Sequence, residues 1–175
     1  MAKLIVTADV HGSFGAWMTI KKLLGPYDHL AVAGDLFDTR YGDLKDPDFQ
    51  PGEIKKDLSE LKNPFYYVYG NCDVKSFYPD QKNSLNFDCM GTKILLHHGH
   101  NFTTKIPADI QLVIQGHTHI ASLKTKDNII FLNPGSLAVP RNNIYTYGVI
   151  ENKKVKLINI KTGETLISLT AMTKQ

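Results

Sequence analysis

Five short apolar segments in this chain each lead into a residue that can bind a metal ion. The residues that follow these segments are Asp9 with His11, Asp35, Asn71, His98, and His117 with His119. Ligands of open α/β sheets bind in the crevice at the carboxyl ends of the strands. If the five segments are strands, these side chains therefore converge at one edge of the fold.

The first 70 residues alternate between strand and helix patterns. Apolar, partly β-branched runs predict strands over residues 4–8, 30–33 and 65–69, and helical spacing predicts helices over 14–24 and 53–61. This order favours a β-α-β-α-β unit with parallel strands. Eight more strands joined by short turns are predicted at 84–89, 93–97, 111–114, 122–125, 129–132, 145–150, 155–160 and 165–170. So many strands indicate two packed sheets with helices outside.

Composition narrows the class of protein. A chain of 175 residues with 42% hydrophobic residues is expected to form one domain over 1–175. The formal charge of +3 disfavours long nucleic acids as partners. Only two cysteines occur, without C-x-x-C spacing, and no apolar run approaches the about 18 residues of a membrane span. We therefore expect a cytoplasmic protein with no membrane contact.

The ligand types favour one kind of metal chemistry. Four histidines, two aspartates and one asparagine offer nitrogen and oxygen donors, which suit Mn, Fe, Zn or Mg. Seven donors exceed one tetrahedral site, but two ions sharing a carboxylate would use them all. Ion pairs of this kind lie about 3.5–4 Å apart in phosphatases and nucleases. The residues alone thus indicate phosphoester hydrolysis.

Glycines precede three of the candidate ligands. Gly34, Gly70 and Gly116 stand directly before Asp35, Asn71 and His117. Such positions suit a sharp turn and close approach of an ion to the backbone.

Some residues near the candidate ligands in sequence allow two interpretations. His100 either reaches the site or caps the next turn, and Arg40 and Arg141 are either anion contacts or surface residues. Residues 37–52 form a long loop with four Asp, two Pro and two Gly, which is typical of a functional or mobile segment. We expect this loop to help select the substrate.

The motifs resemble a known family. In order and spacing, five motifs resemble those of the calcineurin-like metallophosphoesterases. They are Asp9-x-His11, Gly34-Asp35, the segment 70–73, His98-Gly99-His100 and the segment 116–119. The resemblance is to their YfcE-like phosphodiesterase branch and extends over residues 3–151. It includes the segment 133–136 and Pro140-Arg141. It implies an α/β fold, a four-layer α/β/β/α sandwich of two mixed sheets flanked by helices.

The resemblance also assigns ligands and a mechanism. It implies a first metal held by Asp9, His11, Asp35 and His119 and a second held by Asp35, Asn71, His98 and His117. Asp35 would bridge the ions, of which Mn is the usual choice and Mg, Ni, Zn or Fe occur. A metal-bridging hydroxide would attack a small phosphodiester, with catalytic roles for Asn71, His98 and Asp35.

One position departs from the wider superfamily. Cys72 occupies the place where a histidine commonly serves as a general acid, a departure that YfcE-like proteins share. Cys72, His100 and Arg40 are the expected substrate contacts. Two alternatives remain, a phosphomonoesterase or nucleotide phosphatase, and a non-catalytic scaffold like the retromer subunit that resembles this branch. In that subunit the metal set has degenerated, whereas here every ligand position is filled. The sequence also allows a homo-oligomer.

Overall fold

The computed structural model describes residues 2–101 and 105–171. In chain order their elements are β1 (Leu4–Thr7), α1 (Phe14–Lys21), β2 (His29–Val32), α2 (Pro51–Ser59), β3 (Phe65–Tyr67), β4 (Ser84–Cys89), β5 (Thr92–His97), β6 (Leu112–Ile114), β7 (Ser122–Lys126), β8 (Ile129–Asn133), β9 (Thr146–Glu151), β10 (Lys154–Asn159) and β11 (Thr165–Thr170). Each of these elements corresponds to a predicted helix or strand. The α1 helix ends at Lys21, three residues before its predicted end, because Leu23 and Leu24 close tighter three-residue turns.

The strands form two mixed sheets. The six-stranded sheet has the order β11-β10-β9-β1-β2-β3, and β1, β2 and β3 are parallel as predicted. The five-stranded sheet has the order β4-β5-β6-β8-β7, with β5, β6 and β8 parallel. Each sheet therefore brings three parallel strand ends to the same edge.

Alternating side chains build the core between the sheets. Leu4 and Val6 of β1 face Ile94, Leu112 and other apolar residues of the five-stranded sheet in one buried cluster. The intervening Ile5 points the other way and packs with the two helices. This two-residue alternation decides which side chains of each strand face the space between the sheets and which face the helices.

The helices cover one outer face. Trp17 of α1 and Ile54 of α2 pack against the six-stranded sheet, and the Trp17 indole donates to Asp57 at 2.7 Å. On the outer face of the five-stranded sheet, Leu95 and Val113 pack against Ile110 from the irregular segment before β6. The predicted α/β class with two mixed sheets is confirmed. In residues 2–101 and 105–171, the second outer layer is irregular instead of helical.

The 37–52 loop is tied to the helix that begins beside it. Ser13 caps α1 by accepting from the Ala16 amide at 3.1 Å, and its hydroxyl donates to the Asp48 carboxylate. Asp48 also accepts from the Gly15 amide at 2.8 Å. These bonds hold the loop next to the carboxyl end of β1. Within the residues described, neither helix has the length and apolarity needed to cross a bilayer.

Candidate metal centre

The ends of strands from both sheets meet at one edge of the sandwich. The Asp9 amide donates to the Gly34 carbonyl at 3.1 Å, and the His11 amide donates to the Asp35 carbonyl at 2.9 Å. In the second sheet the Gly116 amide donates to the His98 carbonyl at 3.0 Å. Backbone hydrogen bonds thus join the turns that carry the predicted ligands.

One group of side chains contains Asp9, His11 and His119, whose ligand atoms lie within 4.8 Å of one another. His11 Nε2 is 3.2 Å from His119 Nε2, and the two nitrogens are 4.0 and 3.6 Å from Asp9 Oδ1. This group gathers three of the four donors expected for the first metal.

A second group contains Asp9, Asp35 and His98 within the same 4.8 Å. His98 Nε2 lies 3.1 Å from both Asp35 Oδ2 and Asn71 Oδ1. Asp9 belongs to both groups and stands between the two histidine sets, whereas Asp35 belongs only to the second group. Asp35 as the bridging ligand stays a prediction.

His117 lies at the rim of these groups. Its amide donates to both Asp9 carboxylate oxygens, at 3.0 and 3.1 Å. Its exposed ring lies 5.1 Å from the His98 ring. The ring is therefore close to the second group, but more accessible than His98.

Hydrogen bonds on the far side of the rings fix the orientation of three histidines. Nδ1 of His98 lies 2.8 Å from the Ala33 carbonyl, and Nδ1 of His119 lies 2.9 Å from the Val139 carbonyl. Because a carbonyl only accepts, these Nδ1 atoms carry hydrogen and leave Nε2 free to bind a metal. Nδ1 of His11 is paired in the same way with Asp38 Oδ2 at 2.9 Å.

The three glycines lie close to predicted ligands that other strands carry. A Cβ on Gly34 would lie 2.4 Å from His98 Nδ1, and one on Gly70 would lie 2.0 Å from Asp35 Oδ1. A Cβ on Gly116 would lie 3.0 Å from Asp9 Oδ2. Side chains of predicted ligands thus fill the space beside Gly34 and Gly70, while the Ala33 carbonyl and the Ala8 side chain lie nearer to Gly116 than Asp9 does.

The turns that carry the predicted ligands adopt an unusual backbone conformation. Left-handed φ angles occur at five predicted ligands: Asp9 (52°), His11 (50°), Asp35 (49°), His117 (70°) and His119 (57°). Such conformations cost non-glycine residues roughly 1–2 kcal/mol each and persist where the surroundings enforce them. Here they aim the side chains into one space.

The two carboxylates have opposite electrostatic surroundings. Burial raises the pKa of Asp9 to about 7. Burial also raises the pKa of Asp35. The hydrogen bond and charge of His98, together with the hydrogen bond from the Cys72 amide, outweigh burial and lower this pKa to about 2. Buried carboxylates beside histidine nitrogens and an amide oxygen are a donor set that fits a divalent cation, whose charge would favour the ionised form of Asp9.

Several supporting residues carry no metal-binding motif. Ser136 donates to the Asp9 carbonyl at 2.6 Å, and Asn133 donates to the Gly116 carbonyl at 2.9 Å. Asp73 accepts from the amides of Phe37 and Gly70, both at 3.0 Å. Asp38, the partner of His11, comes from the 37–52 loop. The sequence signalled these positions only through the resemblance and the length of the loop.

The expected substrate contacts lie at different depths. Cys72 is buried, with its amide 2.7 Å from Asp35 Oδ1, and its sulfur lies within 4.8 Å of ligand atoms of His11 and Asp38. The His100 ring lies 5.3 Å from the His98 ring, beside the site. Arg40 is exposed, and its amide donates to the Cys72 carbonyl at 3.1 Å.

Comparison with known proteins places this geometry in a family. Residues 2–154 match the calcineurin-like phosphoesterase superfamily domain. The chain is 27% identical over 173 residues to phosphodiesterase YfcE of Escherichia coli K12, covering 90% of this chain and 92% of that protein. It is 30% identical over 155 residues to a probable metallophosphoesterase of Mycoplasma pneumoniae, covering 81% and 83%.

Solved structures share the fold. The E. coli YfcE structure superposes with a TM-score of 0.80 at 22% identity, covering 97% of this chain and all of that one. Vacuolar protein sorting 29 of Cryptosporidium parvum gives a TM-score of 0.67 at 18% identity, covering 99% and 98%. The resemblance to the YfcE-like branch is confirmed, and the chain belongs to the calcineurin-like phosphoesterase superfamily of hydrolases.

Proposed function

We propose that this protein is a cytoplasmic phosphodiesterase that hydrolyses small phosphodiesters with two divalent metal ions, Mn first among them. The observation that carries the proposal is the convergence of buried Asp9 and Asp35 with histidine Nε2 atoms on both sides. The likeness to phosphodiesterase YfcE supports the type of bond. Two cysteines, both free and buried, suit a reducing compartment.

By the family pattern, the donor groups would divide between two ions. Asp9, His11 and His119 would hold the first ion, and Asn71, His98 and His117 the second, with Asp35 shared. When bound, the ions supply an activated water as nucleophile and neutralise the phosphoryl oxygens.

The chain's own residues orient this chemistry. Asn71 presents Oδ1 toward His98 Nε2 at 3.1 Å, while its Nδ2 donates to Cys72 Sγ at 3.1 Å. With Oδ1 directed to a metal, Nδ2 is the hydrogen-bond donor available for a phosphoryl oxygen as charge develops there. Asp38 keeps His11 Nε2 directed inward through its bond to Nδ1.

The leaving group receives little help from Cys72. Burial, with the neighbouring carboxylates Asp35 and Asp38, raises the thiol pKa well above its ordinary value. A thiol with so high a pKa retains its proton and is a poor general acid near neutral pH. Diesters with a good leaving group are therefore the preferred substrates, and His100 is the alternative proton donor beside the site.

Two other functions compete with this proposal. A phosphomonoesterase would use the same metal ligands. A dianionic monoester, however, would meet no cationic histidine at position 72, where this chain has a cysteine. A protein-binding scaffold is favoured only by the likeness to vacuolar protein sorting 29, which shows the shared fold. The filled ligand set favours an enzyme over a scaffold.

Activity should depend absolutely on divalent metal and on Asp35. We expect chelation to abolish hydrolysis of a bis-nitrophenyl phosphodiester and added Mn²⁺ to restore it. Asp35→Asn should lower kcat/KM by more than about 100-fold, because losing even a group that supports a ligand costs roughly 10–100-fold. Asp109→Asn, a change at an exposed salt bridge with Lys93, is the matched control and should stay within twofold of the parent. Full activity of metal-free protein would contradict the proposal.

Metal affinity should fall as pH drops below about 7. Asp9, whose pKa without metal is raised to about 7, must lose its proton before it binds a cation. Burial opposes protonation of His11 and His98, but Asp38 and Asp35 respectively raise their pKa values, so protons compete there too. Calorimetric titration with Mn²⁺ at pH 6 and pH 8 should show weaker binding and greater proton release at pH 6. Equal affinity and proton release at both pH values would refute this coupling.

The leaving group should control the rate. Across aryl and alkyl phosphodiesters, we expect the parent rate to fall steeply as the leaving-group pKa rises, because Cys72 does not donate a proton. Cys72→His should flatten this dependence by adding an imidazolium near pH 7, while Cys89→His, at the other free cysteine, should not. A shallow dependence in the parent that Cys72→His leaves unchanged would show that another group, such as His100, is the acid.

A further inference from the structure

A third group of metal-binding side chains lies beside the two groups described above. It contains His11, Asp38 and Cys72, and one ligand atom of each lies within 4.8 Å of the other two. His11 also belongs to the first group, whereas Asp38 and Cys72 belong to neither. Cys72 adds a sulfur donor, which the other two groups lack. The third group therefore differs from them in chemistry as well as in membership.

The donor types of this third group suit a different kind of ion. A thiolate, an imidazole and a carboxylate are all ligands of Zn²⁺, which accepts a water in its fourth position. Thiolates favour such thiophilic ions, whereas carboxylates and carbonyls suit Mn²⁺. Asn71 Nδ2 donates to Cys72 Sγ at 3.1 Å, a hydrogen bond that favours the thiolate form. The third group therefore discriminates between metals.

An ion can reach this group from solvent. The side chains of His11 and Asp38 are 14% and 13% exposed, and both line an open cavity of about 210 Å³. Three further aspartates line the same cavity, namely Asp43, Asp46 and Asp48. Their charges raise the local concentration of cations. The cavity also has room for the water that would complete the coordination of the ion.

We propose that His11 Nδ1, Asp38 and Cys72 form a separate site for one thiophilic divalent ion, such as Zn²⁺ or Cd²⁺. Binding releases the thiol proton to solvent and moves the His11 hydrogen from Nδ1 to Nε2. The site itself does not depend on the proposed hydrolase function. Its effect on the catalytic ions, argued below, rests on that function.

The carboxylates around the thiol act differently with and without an ion. Burial and the charges of Asp35 and Asp38 raise the pKa of the free Cys72 thiol. The same negative charges attract a divalent cation, and a bound cation removes the proton of a coordinating thiol. The surroundings of Cys72 thus disfavour a free thiolate and favour a metal-bound one.

His11 cannot serve this ion and the first catalytic ion together. A neutral imidazole has one nitrogen free to bind a metal, while the other carries hydrogen. When Nδ1 donates to Asp38 Oδ2 at 2.9 Å, the free Nε2 faces Asp9 and His119. When Nδ1 binds an ion, Nε2 carries the hydrogen, and His119 Nε2 lies 3.2 Å away to accept it. The thiophilic ion would therefore displace the first catalytic ion.

Ultraviolet titration of the metal-free full chain with Cd²⁺ tests the site. The parent should develop a thiolate-to-metal charge-transfer band with the intensity of one bound thiolate, and Cys72→Ser should lose it. Cys89→Ser is the matched control and should keep the band. Cys89 Sγ lies 3.6 Å from His29 Nδ1 but, within the described part of the chain, belongs to no group of three donors.

Asp38→Asn gives a second variant, which keeps both cysteines. It should raise the Cd²⁺ concentration at half of the full band by about 10-fold or more, because losing even a group that supports a ligand costs roughly 10–100-fold in affinity. A parent without the band, a Cys72→Ser protein that keeps it, or an Asp38→Asn protein with the affinity of the parent would overturn the proposal.

Competition with Mn²⁺ tests the sharing of His11. Mn²⁺ at about 10 times its own dissociation constant should raise the Cd²⁺ concentration at half of the full band by about 10-fold. An unchanged value, with Mn²⁺ binding seen by calorimetry, would show that the two ions do not exclude each other. Absence of Mn²⁺ binding would instead contradict the two-metal function, and the titration with Cd²⁺ alone would still decide whether the Cys72 site exists.

Discussion

The structure depends on two buried carboxylates, Asp9 and Asp35, at the ends of adjacent parallel strands. Burial favours the protonated form of a carboxyl group, and two such groups side by side favour a compensating cation. Asp35 has His98 as a partner, which lowers its pKa to about 2, whereas burial raises the pKa of Asp9 to about 7. A pair of divalent ions would resolve this imbalance, and the surrounding turns hold nitrogen and oxygen donors around the same space.

The sandwich is what makes this constellation possible. β1 and β2 of one sheet supply the carboxylates, and the ends of β5 and β6 in the other supply His98 and the His117-His119 turn. The apolar layer between the sheets, with Val6 on one side and Ile94 on the other, therefore also sets the spacing between ligands. Glycines at the strand ends let the two sheets approach closely enough for the side chains to meet.

Sequence reasoning predicted the elements well, because alternation of apolar residues and turn chemistry are local signals. The convergence of the predicted metal-binding side chains was also predictable, since the carboxyl ends of parallel strands share an edge. The supporting contacts of Asp38 and Ser136, and the presence of Asp9 in both donor groups, were not predictable. They depend on contacts between segments that are far apart in the chain. In the described part of the chain, Ile106 and Ile110, which pack against the outer face of the five-stranded sheet, lie outside any helix.

Anomalous diffraction from crystals grown with Mn²⁺ tests the central claim most directly. The account predicts two peaks about 3.5–4 Å apart, one beside Asp9, His11 and His119 and the other beside Asn71, His98 and His117, with Asp35 between them. A single ion bound only by His11, Asp38 and Cys72, or no ion at the strand ends, would contradict it.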